Sequence, residues 1–133
     1  MSDQSMDQYL QQGMYGPRET KPDERRLFLG SLRERVIIAL TKGQVLRPQA
    51  YREVIDALGS KADATLLLNG EIDYSHLSPY IKESNKQGVS FSIVSDQQSD
   101  TPLGLVLAAR EAVEKESIYV QDDIFEQSVL NKR

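Results

Sequence analysis

The sequence contains no cysteine and no tryptophan, and His76 is its one histidine. Without cysteine the chain forms no disulfide, has no thiolate nucleophile and offers no sulfur ligand for zinc or an iron–sulfur cluster. A single histidine also excludes a His-rich metal site. We therefore expect no metal centre and no cofactor.

Long apolar runs are missing as well. No run, Val36–Leu40 included, approaches the ~20 residues that a membrane-spanning helix requires. The first sixteen residues are polar and acidic, and they lack the basic start and apolar block of a secretory signal. These features predict a cytoplasmic protein that has no membrane partner.

Basic residues are in the minority, with 16 Lys and Arg against 20 Asp and Glu, for a net charge of −4. The balance is uneven, because the region from Arg18 to Arg52 holds nine Lys or Arg and four Asp or Glu, or +5, which leaves −9 for the rest. Such asymmetry places any anion-binding surface near the front of the chain. RNA is therefore one partner class to consider.

Short apolar runs alternate with amphipathic segments from residue 21 onward. Val36–Leu40 is β-branched and apolar on both faces, which is typical of a strand covered on two sides, although a helix from Ser31 to Leu40 is the competing interpretation. The same reasoning predicts further strands at Ala64–Leu68, Val89–Val94 and Ser117–Val120. Helices are predicted at Pro22–Leu29, at Gln49–Leu58, from Asp73 or Ser75 to Gly88, and from Thr101 to Glu114. Pro79 is expected in the first turn of the third of these helices. This alternation predicts an α/β protein with three α/β/α layers and a central, mixed, mainly parallel four-stranded sheet.

The composition divides the chain into three parts. Residues 1–20 are rich in Gln, Asp, Ser and Gly and are expected to form a flexible arm, whereas residues 21–120 form the single α/β/α domain. Residues 121–133 form a C-terminal tail or helix. Phe125 and Val129 share a face of that helix, which docks either on its own chain or on a second subunit in a homodimer.

The run Pro22–Gly30, followed by Arg33–Val36, resembles the YueI-like family of small bacterial proteins. The continuation through Ala39–Thr41 and Gln44–Val45 is similar to the same family, and the resemblance covers about Lys21–Val120. It implies a bacterial cytosolic protein with a fold like the Bacillus chorismate mutase-like group. It implies no activity, because the family has none assigned.

A second similarity concerns Ala64–Val120, which looks like the kink-turn-binding ribosomal proteins of that fold group. Those proteins read RNA mainly through a Gly-x-Asn-Glu motif with a nearby basic residue. The corresponding stretch here, Leu46–Ala50, lacks the Gly, Asn and Glu of the motif. The departure argues against kink-turn binding, and a shared fold alone is only an analogy.

Four arginines form the first candidate site, because guanidinium groups pair two oxygens of a phosphate or carboxylate at once. The candidate anion- or RNA-binding residues are Arg25, Arg26, Arg33 and Arg35. Asp23, Glu24 and Glu34 are interleaved with them, so internal ion pairs that fix the first helix to the sheet are the leading alternative. A solvated face without a partner is the third.

The ends of the strands form the second candidate, because ligands of open α/β sheets bind beyond the carboxyl ends of the strands. The candidate ligand-binding residues are Thr41, Lys42, Asn69, Glu71, Ser95 and Asp96. They supply a cation, an amide, hydroxyls and carboxylates, a mixture that suits a small polar ligand. The alternative, which we favour, is that these residue types occur there because turns need them.

No catalytic constellation follows from the residue spacing. His76 lies beside Ser75 and Ser78, a spacing that does not make an activated nucleophile, and no phosphate-binding Gly-Lys-Ser/Thr loop occurs. Glu111, Glu114 and Glu116 are assigned to the solvated face of a helix. The sequence thus favours a non-enzymatic ligand- or partner-binding module, with RNA binding as the first alternative and a small-molecule enzyme at a subunit interface as the second.

Overall fold

The computed structural model describes residues 21–60, 63–95 and 101–130, together with their secondary structure. In chain order the elements are α1 (Lys21–Leu27), a short 3-10 helix (Arg33–Arg35), β1 (Val36–Thr41), α2 (Lys42–Val45), α3 (Arg52–Ser60), β2 (Thr65–Asn69), α4 (Tyr74–Gln87), β3 (Ser90–Val94), β4 (Leu103–Ala108) and α5 (Asp123–Leu130). No helix in these ranges is long and apolar enough to cross a membrane. The predicted arm, residues 1–20, lies outside the described residues.

The four strands form one mixed sheet in the order β1-β4-β2-β3. Strand β4 is antiparallel to both β1 and β2, whereas β2 and β3 are parallel. Strands β1, β2 and β3 therefore point the same way, and β4 alone runs against them. The predicted α/β class with a mixed four-stranded sheet is confirmed.

The last third of the domain differs from the prediction. Residues 101–114 do not form a helix, because Leu103–Ala108 is a strand that is buried at all six positions between β1 and β2. Thr101 does not cap a helix either, since its hydroxyl donates to the Leu27 carbonyl oxygen at 2.8 Å. Ser117–Val120 is not a ladder strand, and it contributes one parallel bridge, from Tyr119 to Ala39.

The three glutamates assigned to a helical face belong to this correction. Glu111, Glu114 and Glu116 lie in the irregular segment between β4 and α5, where all three are exposed. Glu114 has a φ of 49°, which lies in the left-handed region and is incompatible with a regular right-handed helix.

Two apolar clusters cover the two faces of the sheet and complete the three layers. On one face, α3 and α4 contribute Val54, Leu58, Leu77 and Ile81 against strand residues such as Leu66. On the other face, α1, the segment after β4 and α5 contribute Leu27, Phe28, Leu29, Ile118, Tyr119 and Phe125. Phe125 is fully buried in its own chain, so α5 docks there through this residue. The side chain of Val129 lies outside the described residues.

Helix α4 ends where the sequence predicts, whereas α3 begins at Arg52 and not at the predicted Gln49, and it includes Gly59. Gly88 caps α4 with a φ of 74°, as a glycine at a helix C-terminus commonly does. Pro79 is the sixth residue of α4, beyond the first turn in which we expected it, because the helix begins at Tyr74.

Candidate functional site

The carboxyl ends of β1, β2 and β3 meet at one edge of the sheet, where the sequence predicts a ligand site. Thr41 ends β1 and Asn69 ends β2, while Ser95 follows β3. Asp96 lies outside the described residues. What these side chains can bind depends on how many of their polar atoms are already used.

Thr41 is the N-cap residue of α2. Its hydroxyl accepts a hydrogen bond from the Gln44 backbone N–H at 3.2 Å, and the Thr41 backbone N–H donates to Gln44 Oε1 at 2.9 Å. Both residues are fully buried. This reciprocal pair satisfies two N–H groups at the start of α2, which is the usual purpose of such a capping box.

Lys42 and Glu71 come together as the pattern predicts, but they bind each other. Lys42 Nζ lies 2.8 Å from Glu71 Oε1, and the two side chains are 27% and 58% exposed. An exposed pair of this kind contributes only about 0–1 kcal/mol to stability. It nevertheless uses both charges that were expected to face a ligand.

Asn69 lies beside that pair and joins neighbouring strands. Its amide donates to the Leu103 carbonyl oxygen at 3.0 Å and its Oδ1 accepts from the Glu71 backbone N–H at 2.9 Å, in a side chain only 3% exposed. Ser95 is exposed and close to Gly70, where an added Cβ would lie 2.6 Å from Ser95 Oγ. The buried side chains of Thr41 and Asn69 at this end of the sheet thus form their hydrogen bonds within the fold.

The four candidate arginines differ in whether their side chains contact other described residues. Arg26 lies 3.8 Å from Asp23, and Arg33 Nη2 donates to the Glu116 carbonyl oxygen at 3.2 Å. Glu24 accepts from the backbone N–H of Arg33 at 2.8 Å and not from a guanidinium in this contact. Arg25 and Arg35 are exposed and form no ion pair within residues 21–60, 63–95 and 101–130.

A groove that the sequence did not reveal lies beside β1, between α3 and the segment after β4. Its volume is about 530 Å³, and its lining includes Ile37, Glu53, Ala57, Lys115, Ser117 and Ile118. Volumes of roughly 300–1,000 Å³ are typical of small-molecule sites. The groove is open to solvent along one side, so a ligand can enter without a conformational change.

A bulge in β1 places an apolar side chain in this groove. Val36 pairs with Ala108 and Ile38 pairs with Leu107, so two residues of β1 match one of β4 and Ile37 is the extra one. Bulges commonly redirect a side chain at the edge of a sheet. Ile37 is half-buried and lines the groove together with Ile118.

The charged lining residues of the groove have opposite signs and come from opposite walls. Glu53 belongs to α3 and Lys115 to the segment after β4, and both are exposed. They form no ion pair with each other in the part of the chain that the structure describes. The sequence does not predict that Glu53 and Lys115 share a groove, because the two residues are far apart in the chain and Lys115 directly follows the segment predicted as a helix.

A partly buried hydrogen-bond network anchors the segment between β4 and α5 at its C-terminal end. Gln44 Nε2 donates to the Val120 carbonyl oxygen at 2.7 Å and to Asp122 Oδ1 at 3.1 Å. The Tyr51 hydroxyl donates to Asp122 Oδ2, and Arg47 lies over the Tyr51 ring with Cζ 3.6 Å from its centre. The network fixes the position of the segment before α5.

His76 does not join any of these groups. Its side chain is half-buried, and Nδ1 is buried without a hydrogen-bond partner among the described residues. Within those residues no cluster of three or more His, Asp or Glu is arranged to hold a metal ion.

The chain is similar to proteins of one known family. The family described as a protein of unknown function, DUF1694, matches residues 3–119. The chain belongs to this family. It is 61% identical over 130 residues to the uncharacterized protein YueI of Bacillus subtilis, with 98% of each sequence covered. The resemblance to YueI-like proteins predicted from residues 21–46 is therefore confirmed.

The fold is also similar to that of a family member whose structure has been solved. The crystal structure of the YueI protein from Bacillus subtilis superposes with a TM-score of 0.84 at 61% identity, covering 96% of this chain and 99% of the other. The sequence relative and the solved structure are the same protein, which is named without an activity, so any function has to be argued from the residues of this chain.

Proposed function

We propose that this DUF1694 protein is a binding module without chemistry of its own, and that its ligand occupies the groove beside β1. The observation that supports this most directly is a lining of mixed polarity, in which apolar side chains lie between a carboxylate on one wall and an ammonium on the other. Glu53 and Lys115 form these two charges, and Ile37 and Ile118 lie in the lining.

This arrangement is complementary to a small zwitterion with an apolar body. Glu53 attracts the ammonium end of such a ligand and Lys115 its carboxylate end, while the half-buried Ile37 contacts the part in between. A short apolar peptide with free termini has this chemistry. Charged groups orient the ligand, whereas the apolar contact supplies affinity that salt does not screen.

The strand ends are a weaker alternative for the same role. A ligand there would have to displace the Lys42–Glu71 ion pair, and Thr41 and Asn69 have already used their buried polar atoms within the fold. The groove requires no such exchange, because its two charges do not pair with each other among the described residues.

Charge reversal tests the groove directly. Binding of a free apolar dipeptide is measured by calorimetry and by NMR, beside its N-acetylated and C-amidated forms. We expect each blocked form, and each of Glu53→Lys and Lys115→Glu, to weaken binding about tenfold. The double reversal restores it, because the ligand then binds in the opposite orientation. Asp56→Lys and Lys86→Glu, exposed charges outside the groove, are the controls.

Two outcomes contradict the proposal. One is the absence of dipeptide binding at the highest soluble concentration, or binding that neither reversal changes. The other is turnover of any substrate that a single substitution in the groove abolishes, because that result indicates an enzyme.

RNA binding is the second candidate, and it is favoured by Arg25 and Arg35, which are exposed and form no ion pair with any of the described residues. Guanidinium groups that are exposed and not neutralised by neighbouring acids remain available to phosphate. If they contact RNA, affinity falls as salt rises, and Arg25→Ala with Arg35→Ala reduces the slope of log K against log salt by about 1–2. Arg110→Ala is the matched exposed control. RNA binding that is undetectable at low salt excludes this candidate.

A further inference from the structure

The two outer edges of the sheet are treated differently. At the β1 edge, the segment after β4 makes a bridge to Ala39, whose backbone N–H donates to the Ile118 carbonyl oxygen at 2.8 Å. Strand β3 forms the opposite edge and pairs only with β2 in the described part of the chain. Its outer row of backbone N–H and C=O groups has no strand partner there.

Strand β3 also lacks the features by which proteins usually protect an edge. From Gly88 to Ser95 the sequence has no charged residue and no proline. Phe91 and Ile93 are 38% and 40% exposed, and they are two of the four exposed large apolar side chains within the described residues. An uncharged apolar edge of this kind is a template for pairing with another strand.

The order of residues in β3 makes it complementary to itself. In an antiparallel pair centred on Ser92, Phe91 lies opposite Ile93 and Ser90 lies opposite Val94. Phe91 and Ile93 lie on the same face of the sheet, because they pair in register with Leu66 and Leu68, which belong to one apolar cluster. An aromatic residue opposite a β-branched one is a favourable cross-strand pair.

We propose that β3 pairs antiparallel with β3 of a second copy of this chain, centred on Ser92, so that two four-stranded sheets join into one. Phe91 then contacts the partner's Ile93, and Ile93 contacts the partner's Phe91. The two-fold axis stands perpendicular to the sheet, so the two α4 helices lie on the same side and flank these four side chains. Because β3 carries no charged residue, pairing it with β3 of a second copy buries no charge.

This interface is independent of the groove, which lies beside the opposite edge strand. It is also separate from the seam suggested by α5, since Phe125 is buried within its own chain. The homodimer that the sequence leaves open at the C-terminal helix is thus proposed at a different element.

Sedimentation equilibrium of the full chain tests the proposal. The expected mass is twice 15.0 kDa. Phe91→Lys and Ile93→Glu should each give monomers, because each places a charge opposite an apolar side chain. Leu46→Lys and Leu46→Glu, at a residue 48% exposed and away from β3, should remain dimeric. Far-ultraviolet circular dichroism verifies that all variants are folded.

A mixing experiment tests the register. When the Phe91→Lys chain is mixed with the Ile93→Glu chain, one contact becomes a Lys–Glu pair and the other remains Phe–Ile, so a heterodimer should form. A mixture of the Phe91→Lys and Leu46→Glu chains should form no heterodimer. A monomeric wild type, whether residues 1–20 or only solvent covers β3, overturns the proposal. So does a dimer that withstands both substitutions, or a mixture of Phe91→Lys and Ile93→Glu chains that stays monomeric.

Discussion

The Tyr51 hydroxyl donates a hydrogen bond of 2.5 Å to Asp122 Oδ2, joining residues that are 71 positions apart. Tyr51 precedes α3, and Asp122 caps α5, where its Oδ1 accepts from the Phe125 backbone N–H at 2.9 Å. One carboxylate therefore links the layer on one face of the sheet to the helix on the other. The contact holds the wall of the groove and the last helix together.

Tyr51→Phe removes this hydrogen bond and leaves the ring in place. A hydrogen bond to a charged group contributes about 1.5–3 kcal/mol, so we expect the free energy of unfolding to fall by about that amount. Urea denaturation at neutral pH measures the change. Tyr74→Phe, at a side chain 62% exposed, should change stability by less than about 0.5 kcal/mol. Equal effects of the two substitutions would contradict this prediction.

Acid should reveal the contribution of Asp122. Burial alone raises its pKa, but the hydrogen bonds from Tyr51, Phe125 and Gln44, together with the charge of Arg47, lower the pKa below the ordinary value of 3.8. Because the folded pKa lies below the unfolded one, the stabilisation is complete above the unfolded pKa and is lost as pH falls through the folded pKa.

Asp122→Asn provides the comparison for that titration. The difference in unfolding free energy between wild type and variant should be constant at neutral pH and should shrink below pH 3.8. Urea titrations at a series of pH values measure it. A difference that grows as pH falls would contradict the sign of the effect.

Alkali should act through Tyr51 in the opposite direction. Burial first, and then the hydrogen bond and the negative charge of Asp122, raise the pKa of Tyr51 from 10.0 to about 12. The stabilisation is therefore complete below pH 10.0 and is lost as pH rises toward 12. The wild type should lose more stability than Tyr51→Phe across this window, and tyrosinate absorbance should show one late titration missing from the variant. The pKa of Tyr80 is also raised by burial, and this residue is present in both chains.

Gly104 should not tolerate even a methyl group. A Cβ there would lie 2.7 Å from Ile72 Cδ1 and 2.9 Å from Val45 Cγ2, and 3.1 Å from the Lys42 backbone. Gly104→Ala should therefore cost about 1–3 kcal/mol in thermal or urea unfolding. Gly59→Ala is the control, because its nearest neighbour would be 3.7 Å away, and alanine within a helix should gain up to about 1 kcal/mol. A shift of the same sign in both variants would refute the packing argument.

Those parts of the fold that depend on local patterns were predictable from the sequence. Val36–Leu40 and Ala64–Leu68 are apolar on both faces, and both runs fall in strands, because helices or apolar loops cover the two sides of the sheet. Gly88 ends α4 because glycine, which has no Cβ, adopts the left-handed backbone conformation of this cap without steric strain.

The error after Thr101 has a non-local cause. Thr101-Pro102 suggests a helix cap and first helical position, but Leu103–Ala108 finds hydrogen-bond partners in β1 and β2. Pairing on both edges outweighs local helix preference, which is only a weak determinant. The run LGLVLA resembles the other buried strands, and this similarity was the available signal.

The candidate sites were predictable only in part for the same reason. Strands β1 and β2, which flank β4, bring Lys42 and Glu71 together at the expected end of the sheet, but their mutual ion pair depends on side-chain geometry. The groove requires the bulge at Ile37 and the approach of Lys115 to α3, and neither leaves a periodic trace in the sequence. The role of the candidate ligand residues therefore stays a prediction.

The central place of β4 also determines when the sheet can form during translation. Strands β1 and β2 do not pair with each other, because β4 lies between them, and β4 is the last of the four to leave the ribosome. A nascent chain that ends before Leu103 can assemble only the β2–β3 pair, with β1 unattached. Such non-local pairing must wait for most of the chain, which makes folding slower than in proteins with local contacts. Until then the apolar segments of β1 and β2 remain exposed, at the stage of synthesis when they most need protection from other chains.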